Sequence, residues 1–197
     1  MSEPFDQEWA ESTVALLRAV GVEFAQGLAD AEIEAIGESF RVSAPPELEQ
    51  FLRAGCPVSP KWARWVEGPE VVAADAREWI DRAFEFDVTQ GQYWHPSFGQ
   101  RPDDADQAVQ VALAVVRAAP PLIPIYAHRF IATSPTSGQR AVLSVWQAVD
   151  SIFYGNDLAD YFTNEFQVER SAWAAVDAPR VPVWEDLFDL FGEGGDL

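Results

Sequence analysis

The clearest pattern of apolar and polar positions lies between Pro120 and Phe166, where a period of two gives way to a period of 3.6. Short runs at Leu122–Tyr126, Phe130–Thr133, Val142–Trp146 and Ile152–Tyr154 are rich in β-branched and aromatic residues. Turn formers separate them, with Pro135 and Gly138 in one connection and Asp150 and Ser151 in another, and this predicts paired strands. Gly155, Asn156 and Asp157 then offer a turn and a capping carboxylate. Leu158, Tyr161, Phe162, Glu165 and Phe166 follow at helical spacing.

Helical periodicity dominates elsewhere. A first helix is predicted over Asp6 to Val20, with Trp9, Val14, Leu17 and Val20 on one face and Gly21 stopping it. A second begins near Asp30 with Ile33, Ile36 and Phe40 as its stripe, and Pro45-Pro46 opens a third that buries Leu48, Phe51 and Leu52 before Gly55. Asp75–Ala83 reads as a helix with Trp79 and Ile80 inward, and Asp103–Ala118 as another. Near the C-terminus Trp184, Leu187, Phe188 and Phe191 recur at near-helical spacing among acids. That segment reads either as a docked final helix or as an acidic-hydrophobic segment that enters a partner's groove. The fold class expected is α+β: a mostly antiparallel, twisted sheet from about Phe86 to Tyr154, covered by the N-terminal helices and the Asp157–Phe166 helix. Residues 1–191 form one domain in this reading, and 192–197 a frayed acidic tail.

Several segments carry a resemblance. PPLIPIYAHRF, VLSVWQ and DSIFYGNDLADYFTNEF come in the order seen in the SUKH superfamily, the group of Smi/Knr-like cell-wall regulators and many bacterial immunity proteins. GLADAEIEAIGESFRVSAPPELEQFLRAGCPV resembles that family's opening, and YWHPSFGQRP at Tyr93–Pro102 its central aromatic-Gly-Arg-Pro step. The resemblance spans residues 27 to 166; it departs at Phe98, where a Trp is expected before Gly99. It implies a SUKH-like domain without catalysis, acting as an immunity protein that neutralises a cognate toxin by direct binding, or as a regulatory scaffold of the cell-wall-regulator type.

Composition narrows the classes. With 197 residues, 48% of them hydrophobic, the chain can bury roughly 70% of its unfolded surface and needs neither a disulfide nor a structural metal. The single cysteine, Cys56, excludes an intramolecular disulfide and reads as a small buried residue. An acidic N-terminus and the lack of any span-length apolar run predict a cytoplasmic protein that does not enter a membrane. The net charge is −19, and it is uneven: residues 1–49 and 149–197 each hold eleven acids against two bases, while 120–148 hold two arginines and no acid. Such a field disfavours nucleic acid and anionic lipid and attracts a basic protein, such as a nuclease toxin domain; it also simply keeps a protein in solution.

Candidate chemistry is sparse. No cofactor motif, nucleophile elbow or phosphate loop is present, and His95 and His128 are isolated. Asp103, Asp104 and Asp106 cluster without the spacing of a calcium loop and suit a helix N-terminus. Asp157 with Asp160, or Asp160 with Glu165, is an imaginable acid and base pair, but a cap and a solvated face explain these residues without chemistry. Trp62 and Trp65 read first as core or core-rim aromatics; as the alternative, with Lys61 and Arg64 beside them, they are aromatic anchors, and the residues selected for partner binding are then Trp62, Trp65, Asp103, Asp104, Asp106, Glu185, Asp186 and Asp189.

Overall fold

The structure, a computed structural model, describes residues 5–91, 93–135, 139–171, 174, 177 and 179–190. Phe191, Gly138 and the expected tail 192–197 lie outside the described residues.

The N-terminal half is helical. Helix α1 (Gln7–Ala19) is capped by Asp6, which accepts from the Trp9 amide, and buries Trp9, Val14 and Leu17. Val20, expected on the same face, is half exposed, because the helix ends at Ala19 and Gly21 turns the chain with φ +95°. Strand β1 (Phe24–Ala25) pairs antiparallel with β2 (Cys56–Pro57), which brackets helices α2 (Asp30–Phe40) and α3 (Pro46–Ala54). The stripes on α2 and α3 are buried as the spacing predicts.

Gly27 sets how closely this entry segment lies on α3. A Cβ there would stand 1.8 Å from the Arg53 carbonyl oxygen, while the neighbouring Leu28 amide donates to the Leu52 carbonyl at 2.9 Å. We expect Gly27→Ala to lower stability by about 3 kcal/mol through this overlap of backbone with backbone. Urea unfolding checks it; a midpoint equal to that of the unsubstituted chain would mean the segment moves off α3 at no cost.

Helix α4 (Pro69–Thr89) is longer than Asp75–Ala83, and it corrects the expected start of the sheet: Phe86 lies in this helix. Val72, Ala76, Ile80, Ala83, Phe84 and Val88 form a buried 3.6-period stripe, which a strand could not bury on one side. A short 3-10 turn, Pro96–Phe98, leads to α5 (Ala105–Val116), capped by Asp104.

The sheet itself spans Leu122 to Gly155. It is an antiparallel meander of β3 (Leu122–Tyr126), β4 (Arg129–Ala132), β5 (Val142–Val145) and β6 (Ser151–Gly155) in that spatial order. The α+β class expected from the sequence is what the chain adopts. Helix α6 (Leu158–Phe166) packs on β6 and α4 on β3. Phe51 of α3, Trp62, Tyr126 of β3 and Phe162 and Phe166 of α6 meet with ring centroids 4.9–6.2 Å apart, fastening the helices to the sheet. The terminal α7 (Trp184–Leu187) closes over α4: Trp184 donates its indole N–H to the Pro120 carbonyl at 2.7 Å, and Phe188 stacks on Phe84 at 5.6 Å. Its described apolar face is thus occupied within the chain, which favours the docked reading of this segment over the partner-groove one.

Among the described residues one ion pair has both partners buried. Arg140, just before β5, reaches the Glu47 carboxylate in the first turn of α3 at 3.2 Å, with Glu47 1% and Arg140 7% exposed. Burial pushes the Glu47 carboxyl above its ordinary range and the nearby Asp157 charge pushes the same way, while Arg140 opposes both.

Candidate protein-interaction surface

Helix α4 carries a second apolar stripe beside its buried one. Trp79 and Phe86 are seven residues apart, two turns, with Arg82 and Ala83 between them. This stripe faces solvent: Trp79 is 36% and Phe86 48% exposed. Trp146, at the end of β5, is 52% exposed and meets Trp79 edge-on with centroids 5.9 Å apart. Trp79, Arg82, Phe86 and Trp146 line one shallow cleft of about 190 Å³.

The aromatics are held from beneath. The Trp79 indole N–H donates to the Val145 carbonyl at 2.8 Å, and the Val149 amide donates to the buried Asp87 carboxylate at 3.0 Å. These two bonds clamp the β5–β6 turn to α4 at both ends of the exposed rings. Within the turn the Ser151 hydroxyl donates to the Gln147 carbonyl at 2.6 Å. The β3–β4 turn adds His128, parallel to Trp79 at 6.5 Å and edge-on to Trp146 at 5.3 Å. Burial, then the Arg129 charge, holds the His128 imidazole below its ordinary value, so the ring is uncharged at neutral pH and stacks as an aromatic.

Acids rim this face. Glu78 and Glu85 flank the stripe on α4, and Asp150 closes the turn beside Trp146, all three exposed. Arg82, the cation within the cleft, is engaged by Glu78. A rigid aromatic patch with an acidic rim suits a guanidinium or ammonium laid over an indole and hydrogen-bonded at the edge.

The residues selected from the sequence fall elsewhere. Trp62 and Trp65 are core residues at 6% and 2% exposure, packed on Phe51 and Phe40, so the core reading of the two holds and the alternative of aromatic anchors is corrected. Arg64 beside them is spent on Glu67 and Asp75, at 2.7 and 2.8 Å. Asp103 and Asp106 are exposed at the start of α5, and Asp104 accepts from the Gln107 amide as its cap. Glu185 is held by Arg180, which keeps its carboxyl below the ordinary range, while Asp186 and Asp189 are exposed. None of the eight belongs to the Trp79–Trp146 cleft. A helix of nine residues centres its stripe on Trp79 and Ile80 together; over 21 residues the buried line runs through Val72, Ala76, Ile80 and Ala83 and leaves Trp79 at its border.

The carboxylates considered for acid and base work have structural tasks. Asp157 accepts from the Asp160 amide at 2.7 Å, capping α6; Asp160 accepts from the Asn156 amide and pairs with Arg170; Glu165 lies 3.3 Å from Arg129. His95 accepts from the Ser97 amide. Cys56 is fully buried, and burial pushes its thiol up to about 11. Among the described residues no group of three or more acidic, His or Cys side chains could hold a metal, and no helix is long and apolar enough to cross a membrane. Comparison of the chain with protein-family models, with curated proteins and with solved structures finds no match in any of the three.

Proposed function

We propose that the chain is a protein-binding domain without catalytic activity, which takes a basic protein onto the Trp79–Trp146 face in the manner of an immunity protein neutralising a toxin. The observation that carries this reading is the exposed, doubly clamped aromatic pair within a rim of acids. Large rings fixed in advance lose little conformational entropy on docking, and fixed aromatics with a polar surround are what binding hot spots are made of. The net charge of −19 speeds the encounter with a cationic partner and makes it sensitive to salt. A nuclease domain is the partner chemistry that fits, since a site for nucleic acid is positively charged.

Co-expression with basic proteins encoded beside this chain tests the reading. Rescue of cells from one of them, with a complex whose association rate falls as salt rises, is expected. Failure to bind or rescue against any such protein would favour the regulatory scaffold that the SUKH resemblance also implies.

A further inference from the structure

We infer that the cleft between the end of α2, α4, the end of α5 and the start of β3 is a binding site for a small amphipathic oxyanion: an apolar body about the size of one ring, bearing a phosphate or a carboxylate. The cleft measures about 270 Å³, and its apolar lining includes Phe40, Ile80, Val116 and Trp184. Its lining holds three arginines, Arg41, Arg77 and Arg117, against one acid, Asp81. In a chain with 32 acidic residues that local excess of positive charge is the reverse of the whole.

Eight of the twelve arginines are in ion pairs, and Arg18 and Arg101 lie over aromatic rings. The guanidinium groups of the two that remain, Arg41 and Arg77, have no hydrogen bond, ion pair or ring contact among the described residues, and both residues line this cleft. Arg117, the third, is aligned by a two-point bond to the Asp81 carboxylate at 2.7 and 3.1 Å, so it adds a donor surface with its charge already matched. Two unmatched guanidinium groups in one cleft with an apolar lining select an anion with an apolar body, since a guanidinium binds a phosphate or carboxylate through paired N–H donors. The site is separate from the Trp79–Trp146 cleft and shares no lining residue with it. This inference therefore stands or falls independently of the protein-binding role.

The test is titration of the full chain with phenyl phosphate, 3-phenylpropionate and the neutral 3-phenylpropanol, read by NMR at the arginine side chains and the Trp184 indole. Saturable shifts at Arg41, Arg77 and Trp184 are expected with at least one anion. Phenyl phosphate binding more tightly would identify phosphate esters as the source, since its two charges match two free cations, and the reverse order would identify carboxylates. The alcohol should bind roughly tenfold more weakly than the better anion, and Arg41→Gln or Arg77→Gln should each cost about tenfold in affinity. Both side chains are exposed, so neither substitution should alter thermal unfolding. Equal binding of alcohol and anions, affinity untouched by both substitutions, or no saturable shift up to about 10 mM would overturn the assignment.

Discussion

Arg140→Ala is expected to remove roughly 4 kcal/mol of stability at pH 7, because it strands a charge in the interior. Glu47, 1% exposed, loses the cation at 3.2 Å while the buried Asp157 continues to repel it. The loss should depend on pH in a defined direction. The Glu47 carboxyl already sits above its ordinary value of 4.5 in the folded chain. A carboxyl raised by folding contributes stability that is present below its unfolded value and lost as pH rises through its folded value. Removing Arg140 raises the folded value further, so Arg140→Ala should be less damaged at pH 5 than at pH 7. Adding Glu47→Gln should recover part of the loss, and replacing both residues by methionine should come close to the unsubstituted chain. Urea midpoints at the two pH values decide it. A small loss that does not vary with pH would mean that water reaches the pair.

Trp146→Ala is expected to weaken partner binding by roughly thirtyfold or more, the effect of about 2 kcal/mol at a hot spot. Folding should barely change, since this ring is 52% exposed and its indole holds no part of the clamp. Trp79→Ala is a less clean probe, because it also deletes the bond to the Val145 carbonyl that secures the turn. A Trp79→Phe variant keeps an aromatic while losing that bond, and its binding should lie between the two. Calorimetric titration of each variant, with its melting temperature alongside, separates the binding effect from the folding one. Unchanged affinity in Trp146→Ala would remove the aromatic face from the interface.

The hairpin region was legible because its signals are local. Turn residues at Asp150–Ser151 and Asn156–Asp157 bound runs of matching period, and each strand found its neighbour in sequence, so β3 to β6 and α6 fall within a residue or two of their expected limits. The stretch from Phe86 to Ala118 was harder: α4 runs on to Thr89, and the sheet begins only at Leu122. The tryptophans differ for another reason. Whether a ring is core or surface depends on what the rest of the chain brings to it. Trp62 is covered by Phe51 and Phe166, brought from other helices, whereas the ring contacts of Trp79 among the described residues are with Trp146 and His128. One signal was available, the seven-residue spacing of Trp79 and Phe86, which marks a second stripe once the helix is given its full length. Arg41, Arg77 and Arg117 left none, since they lie 36 and 40 residues apart in sequence and only the packing of α2, α4 and α5 gathers them.

The most direct test compares two faces for the same partner: affinity and cell rescue for a basic protein encoded beside this chain, measured with Trp146→Ala and with the tail variant Asp186→Asn/Asp189→Asn. Trp146→Ala is expected to abolish rescue and most of the affinity, while the tail variant retains both apart from a modest fall in association rate. Rescue lost with the tail variant and kept with Trp146→Ala would contradict it, and would move the interface to the acids of the C-terminal segment.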